Sequence, residues 1–181
     1  MKSSALDQPA ARVYCEAAQR FSAVVRNGPQ QSVAKFLRDV DGALADLYSA
    51  GSRLPELEPD TEELPESNLP PGRNQQLQGS LAKLLGQFDS YREIFDPHDP
   101  GDTEPVQYRV SLDLLEILDD QDYALSLLDP GRVITPTDVV WQWRFGFTSH
   151  WGRHVASVLR VVNNLLYTQF IEALEEGGAD A

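Results

Sequence analysis

Two histidines four residues apart are the residues of this sequence best suited to chemistry. His150 and His154 fall in a segment with helical periodicity, and side chains at positions i and i+4 of a helix lie on one face. Two imidazoles placed in this way can bind one metal ion, transfer a proton, or form hydrogen bonds with the rest of the protein. The spacing marks this pair as the candidate functional centre.

An acidic stripe lies on the preceding helical segment. Asp113, Glu116 and Asp120 follow one another at spacings of three and four residues, so they share one side of that helix. Carboxylates combined with two imidazoles form a ligand set that suits divalent transition metals. The first hypothesis is therefore a divalent metal site, with no other cofactor, whose ligands are His150, His154, Glu116 and Asp120.

Two other interpretations fit the same residues. A zinc-protease motif would place a general-base glutamate directly after the first histidine, and Trp151 stands there instead. The histidines can equally have a structural role, hydrogen-bonded to carboxylates or carbonyls inside the protein. The third interpretation is a small-molecule pocket, although aromatic residues on several sides of a helix are also typical of core packing. The residues of that pocket would be Trp143, Phe147, Trp151 and Asp113.

On a helical wheel of about 100° per residue, both histidines fall in the apolar stripe of the last helix, in the same sector as Trp143 and Phe147. This placement predicts that the imidazoles are shielded from water and that each ring nitrogen needs a partner. Arg144 and Arg153 are the nearby cations that could pair with the acidic stripe and satisfy it without a metal.

Five helical segments and no strand are expected along the chain. Apolar residues recur every three or four positions over about 9–26, 29–50, 73–95, 104–128 and 136–175. A proline-rich acidic segment at about 51–72 predicts a mobile surface loop, with a docking segment for a basic partner as the alternative. The fold class is all-α: a single domain over residues 1–181, built as a five-helix, mainly antiparallel bundle. Its long C-terminal helix, with a kink near Gly152, is the spine.

Composition excludes several classes of function. The 28 acidic residues outnumber the 15 basic ones and give a net charge of −13, which argues against nucleic acid and against anionic membrane surfaces as partners. No uninterrupted apolar run approaches the ~18 residues of a transmembrane helix, and the first residues do not read as a signal peptide. The single cysteine, Cys15, cannot form an internal disulfide. We therefore expect a cytoplasmic protein.

The region around the histidines resembles a known sequence signature. An aromatic-x-aromatic-x-x-His-Trp-Gly-x-His run leads into an apolar helix, with an acidic segment upstream; here the run ends in His150-Trp151-Gly152-Arg153-His154. This pattern resembles an uncharacterised bacterial family, domain of unknown function 5063. The resemblance implies an all-α fold and supplies no activity.

Two functions from different classes remain as hypotheses. The leading one is a non-catalytic helical domain that interacts with another protein or acts as a scaffold, because the sequence has no phosphate loop, nucleophile elbow or cysteine cluster. The alternative is a metal-binding protein or metal-dependent hydrolase that uses the histidine pair and the acidic stripe. A monomer and a homodimer are both compatible with the sequence.

Overall fold

The computed structural model describes residues 4–62, 65–67, 69–96 and 98–167. Besides short 3-10 and π-helical turns, its described residues form six α-helices and one small antiparallel sheet. In chain order these are α1 (Pro9–Asn27), α2 (Val33–Ser52), α3 (Gln75–Leu85), β1 (Ser90–Glu93), β2 (Val106–Arg109), α4 (Val110–Ser126), α5 (Pro136–Gly146) and α6 (Gly152–Tyr167).

Local sequence explains where several helices begin. Pro9 opens α1, where a missing N–H costs nothing. The Ser32 side chain accepts a hydrogen bond from the backbone N–H of Lys35 and caps α2, so this helix starts after the 3-10 turn that contains Pro29. Thr135 caps α5 in the same way, with Pro136 as the first helical residue, as the sequence predicts.

The helices enclose one apolar core. α1 packs against α2, α2 packs against α6, and α4 contacts α1, α3, α5 and α6. Because α4 has helices on several sides, it buries polar as well as apolar residues, including Asp113 and Gln121. The all-α prediction, with a long C-terminal helix, is confirmed.

The expectation of no strand is wrong, because a two-stranded hairpin replaces the end of the predicted third helix. α3 stops at Leu85, ten residues earlier than predicted. Gly86 follows with a φ of +53°, a left-handed conformation that L side chains rarely adopt. β1 then pairs with β2, with Tyr91 opposite Tyr108, and α4 starts at Val110 instead of about 104.

The long C-terminal helix contains one π-helical turn. Residues Phe147–Trp151 join α5 to α6 in this wider geometry, which holds about one extra residue relative to an α-helix. A Cβ added to Gly152 would lie 2.4 Å from the carbonyl oxygen of Phe147, so no larger residue fits directly after the turn. The π turn ends directly before Gly152, the residue near which the sequence predicts a kink.

The described residues of the proline-rich segment after α2 form no helix or strand, but they are tied to the bundle by hydrogen bonds. The backbone N–H groups of Asp60 and Thr61 donate to the Asp138 carboxylate at 2.7 and 3.3 Å. The Tyr123 hydroxyl donates to the Pro65 carbonyl at 2.7 Å. In the part of the chain that the structure describes, no helix combines the length and the apolar character that crossing a membrane requires.

Candidate functional site

The first of two aspartate–histidine pairs joins α4 to the π turn. The Nδ1 atom of His150 lies 2.6 Å from an Asp120 carboxylate oxygen. Because an ionised carboxylate only accepts hydrogen bonds, this contact places the proton of the neutral ring on Nδ1 and leaves the Nε2 lone pair available. Burial raises the pKa of Asp120, and the hydrogen bond from His150 partly opposes that rise.

The second pair lies one helical turn further along and includes a tyrosine. His154 Nδ1 lies 2.8 Å from one oxygen of Asp113, and the Tyr91 hydroxyl donates to the other oxygen at 2.7 Å. Asp113 is only 4% exposed, so both of its oxygens are satisfied within the protein. Burial, and then the bond to Asp113, raises the pKa of Tyr91.

The two imidazoles are neighbours. Their ring centres lie 4.9 Å apart, with the planes at 68° in an edge-to-face arrangement. The two helical segments run antiparallel here, so the earlier histidine, His150, pairs with the later aspartate, Asp120, and His154 pairs with Asp113. The structure therefore brings together four of the residues that the sequence singled out: His150, His154, Asp113 and Asp120.

The histidines lie beside the core face and not within it. Their side chains are 43% and 22% exposed, whereas Trp151, directly after His150, and Val155, directly after His154, are buried. The expectation that both imidazoles are held away from water is therefore wrong for His150 and only partly right for His154. The physical reason is the π turn, because its extra residue rotates everything after it relative to an ideal wheel.

Glu116, proposed as a metal ligand, is exposed to solvent on α4. Across the described residues no group of three or more His, Cys, Asp or Glu side chains lies together as metal ligands. The carboxylates of Asp113 and Asp120 already accept hydrogen bonds from the imidazoles. They are placed to orient the rings.

The arginines expected to neutralise the acidic stripe do something else. Arg144 donates to the carbonyls of Gly51 and Ser52, the last two residues of α2, and the Arg153 guanidinium lies 5.5 Å from the centre of the Phe95 ring. Other acids of α4 pair instead with arginines distant in sequence. Asp122 accepts from both Arg26 and Arg73, and Asp119 from Arg73.

The residues predicted to line one small-molecule pocket are buried or half-buried, and they do not all line the same cavity. Trp143 and Trp151 are each 1% exposed and pack against Tyr14, with ring centres 4.8 and 6.1 Å away. Phe147 contacts Trp151 at 5.0 Å. The cavity beside the two tryptophans measures about 20 Å³, enough for one water at most. Asp113 lines a different and larger cavity.

That cavity belongs to a groove between the hairpin and α6. Two adjoining cavities of about 560 and 370 Å³ share Tyr91 and Arg160 and run along β1. We call them together the hairpin groove. Asp113 and His154 lie in the wall of the smaller cavity, so the second aspartate–histidine pair opens into this groove.

Sequence reasoning missed Tyr91 and Arg160 as site residues. Tyr91 was assigned to the apolar stripe of a helix that ends six residues before it. Its strand conformation pairs it with Tyr108, whose ring stacks on it at 5.6 Å. The glycine at position 86 was the one available signal in the sequence, because glycine commonly ends helices.

Comparisons with known proteins agree with this architecture. The crystal structure of protein BF1032 from Bacteroides fragilis is similar, with a TM-score of 0.77 and 21% sequence identity; the match covers 91% of this chain and 96% of that chain. At this identity the likeness establishes the fold. No functionally curated protein matches the chain.

A sequence profile matches residues 7–168, a range that includes both aspartate–histidine pairs and the hairpin. The profile carries the description Domain of unknown function (DUF5063). The resemblance noted from the His-Trp-Gly-x-His run is therefore confirmed, and the chain belongs to the uncharacterised DUF5063 family.

Proposed function

We propose that this protein is a non-catalytic interaction domain of the cytoplasm that binds an acidic segment of a partner protein in the hairpin groove. The observation that carries the proposal is a groove edged by arginines in a chain with a net charge of −13. The single cysteine, Cys15, supports a reducing compartment.

Charge complementarity favours an acidic partner. Among the described residues, the larger cavity is lined by Arg92 and Arg160 and by no carboxylate. Two carboxylates line the smaller cavity. Glu93 forms an ion pair with Arg160 at 3.2 Å, and Asp113 is hydrogen-bonded to His154 and Tyr91. The Arg153 guanidinium forms no ion pair with a described residue and rests on the Phe95 ring. An incoming carboxylate would therefore meet cations whose charge is not fully neutralised.

The groove also offers apolar contact area. Phe95 is 62% exposed and lines the smaller cavity, and Phe88, Val161 and Leu165 line the larger cavity. Exposed apolar residues grouped beside polar ones are typical of protein interaction sites. We therefore expect the bound segment to combine acidic and aromatic or aliphatic side chains.

A labelled peptide tests this proposal directly. The probe alternates glutamate with phenylalanine and leucine, and its matched control replaces each glutamate with lysine. Fluorescence anisotropy should show saturable binding of the acidic peptide only. Arg92→Glu and Arg153→Glu should each weaken that binding about tenfold or more, because each places a like charge in the groove.

The control variant is Arg12→Glu, which makes the same charge change at an exposed position on α1. It should bind the acidic peptide as the wild type does. Equal binding of both peptides, no saturable binding of either, or equal weakening by all three variants would contradict the proposal.

A further inference from the structure

We propose that His150 and His154 form a two-imidazole site for a divalent transition ion, with Zn²⁺ as the matching ion, and that they bind it through their Nε2 atoms. The zinc proposal does not rest on the peptide proposal, although His154 also lies in the wall of the hairpin groove. It differs from the ligand set expected from the sequence, since the carboxylates of α4 orient the ligands and do not bind the ion themselves.

The first step is the choice of nitrogen. In both rings Nδ1 is used by a carboxylate, at 2.6 Å from Asp120 and 2.8 Å from Asp113. Metal-binding histidines commonly donate one ring N–H to a carboxylate, which fixes the ring and raises the basicity of the other nitrogen. The two pairs have this arrangement, so each ring offers Nε2 as a ligand atom.

The second step is the spacing of the rings. A zinc ion about 2.1 Å from each Nε2 would lie roughly 3.2 Å from each ring centre, and a tetrahedral angle would separate the ring centres by roughly 5.2 Å. The right angle of an octahedral site would give roughly 4.5 Å. The observed separation of 4.9 Å falls between these values.

The third step is access and charge. The histidine side chains are 43% and 22% exposed, so an ion can arrive from solvent and keep water in its remaining coordination positions. Asp113 and Asp120 lie one hydrogen bond behind the imidazoles and offset the charge of a divalent ion. Imidazole nitrogen suits zinc, whereas magnesium prefers oxygen ligands.

Calorimetric titration of the untagged protein with ZnCl₂ tests the site. We expect one zinc ion per chain, and at least a tenfold loss of affinity in His150→Gln and in His154→Gln. The matched control is His98→Gln, at the third histidine of the chain, which is exposed in the loop between the strands; it should bind zinc as the wild type does. Asp120→Asn should weaken binding by about 10–100-fold without abolishing it.

A second measurement needs no substitution, so it tests the site even if the histidine variants fail to fold. In the nitrogen NMR spectrum of the wild type, zinc should shift the Nε2 resonances of His150 and His154 and leave those of His98 in place. The proposal is overturned if no saturable binding occurs, if His98→Gln loses affinity as the other variants do, or if MgCl₂ gives the same response as ZnCl₂.

Discussion

Each imidazole of the candidate site is held through Nδ1 by a carboxylate of α4, and this choice of nitrogen decides what the ring can do. A histidine that donates from Nδ1 presents an unprotonated Nε2 to solvent or ligand. Asp113 is the more constrained partner, because its buried oxygens also accept from Tyr91. The hairpin therefore takes part in orienting His154, although Tyr91 is 63 residues distant in sequence.

Removing the Tyr91 hydroxyl should cost stability. Tyr91→Phe leaves one oxygen of the buried Asp113 without its donor, so we expect a loss of about 1–3 kcal/mol in the free energy of unfolding. Urea denaturation measures this loss. The control is Tyr108→Phe, in the ring that stacks on Tyr91, which should change stability by less than about 0.5 kcal/mol. Equal effects of the two substitutions would argue against a Tyr91–Asp113 bond.

At the scale of helices and strands, apolar periodicity and capping residues predict most of the bundle. The candidate site depends on the two places where that periodicity misleads, which are the end of α3 at Gly86 and the π turn. α1 and α2 repeat their apolar residues without interruption, so their bounds are close to the predicted ones. The apolar rhythm from Leu77 to Phe95 continues past Gly86, where backbone conformation ends the helix, and periodicity alone could not reveal that. The helical wheel predicts the wrong exposure for His150 because it assumes the same rotation per residue throughout, and the π turn departs from that rotation.

The end of α2 packs closely against the π turn, and a substitution at Gly51 tests this contact. A Cβ added to Gly51 would lie 2.5 Å from a ring carbon of Trp151 and 2.8 Å from one of Phe147. Gly51→Ala should therefore destabilise the protein by about 1–3 kcal/mol through overpacking. We expect thermal unfolding to show a lower melting temperature.

Gly79 provides the matched control for that substitution. It lies in α3 with no atom within 4 Å of an added Cβ, so Gly79→Ala should stabilise by about 0.5–1 kcal/mol through helix propensity alone. A neutral Gly51→Ala would show that the α2 contact is looser than described, and an equal loss of stability in Gly79→Ala would show that the effect does not come from that contact.

At the scale of the whole molecule, the acidic chain is fastened by hydrogen bonds that bring distant segments together. Asp138 at the start of α5 is fully buried and accepts from Asp60 and Thr61 of the proline-rich segment and from Thr135. Composition alone predicts a mobile loop here. It does not reveal that one carboxylate at the start of a helix accepts hydrogen bonds from this segment. This carboxylate ties the segment after α2 to the long helix.

Stability should depend on pH through Asp138. Burial alone would raise the pKa of this carboxyl, but the hydrogen bonds from Asp60, Thr135 and Thr61 lower it below its ordinary value. A lowered pKa means that the stabilisation is complete above the unfolded value of about 3.9 and is lost as the pH falls through the folded value. Asp138→Asn should therefore cost about 1–3 kcal/mol near neutral pH.

The pH profile distinguishes this mechanism from a simple packing defect. Urea unfolding of both proteins should be measured from neutral pH to about pH 3. The wild type should have the larger free energy of unfolding near neutral pH, and its advantage over Asp138→Asn should become smaller below about pH 4. A difference that stays constant over this range would mean that the charge of Asp138 has no part in holding the segment.

The nitrogen that carries the proton in each imidazole decides both the aspartate–histidine pairs and the zinc site. Two-bond proton–nitrogen correlation spectra at about pH 9, well above the ordinary imidazole pKa of about 6.5, measure this for all three histidines at once. We predict that His150 and His154 are both protonated at Nδ1 and bare at Nε2, as their bonds to Asp120 and Asp113 require. Spectra that show the proton on Nε2 in either ring would contradict the described aspartate–histidine pairs and the zinc site inferred from them.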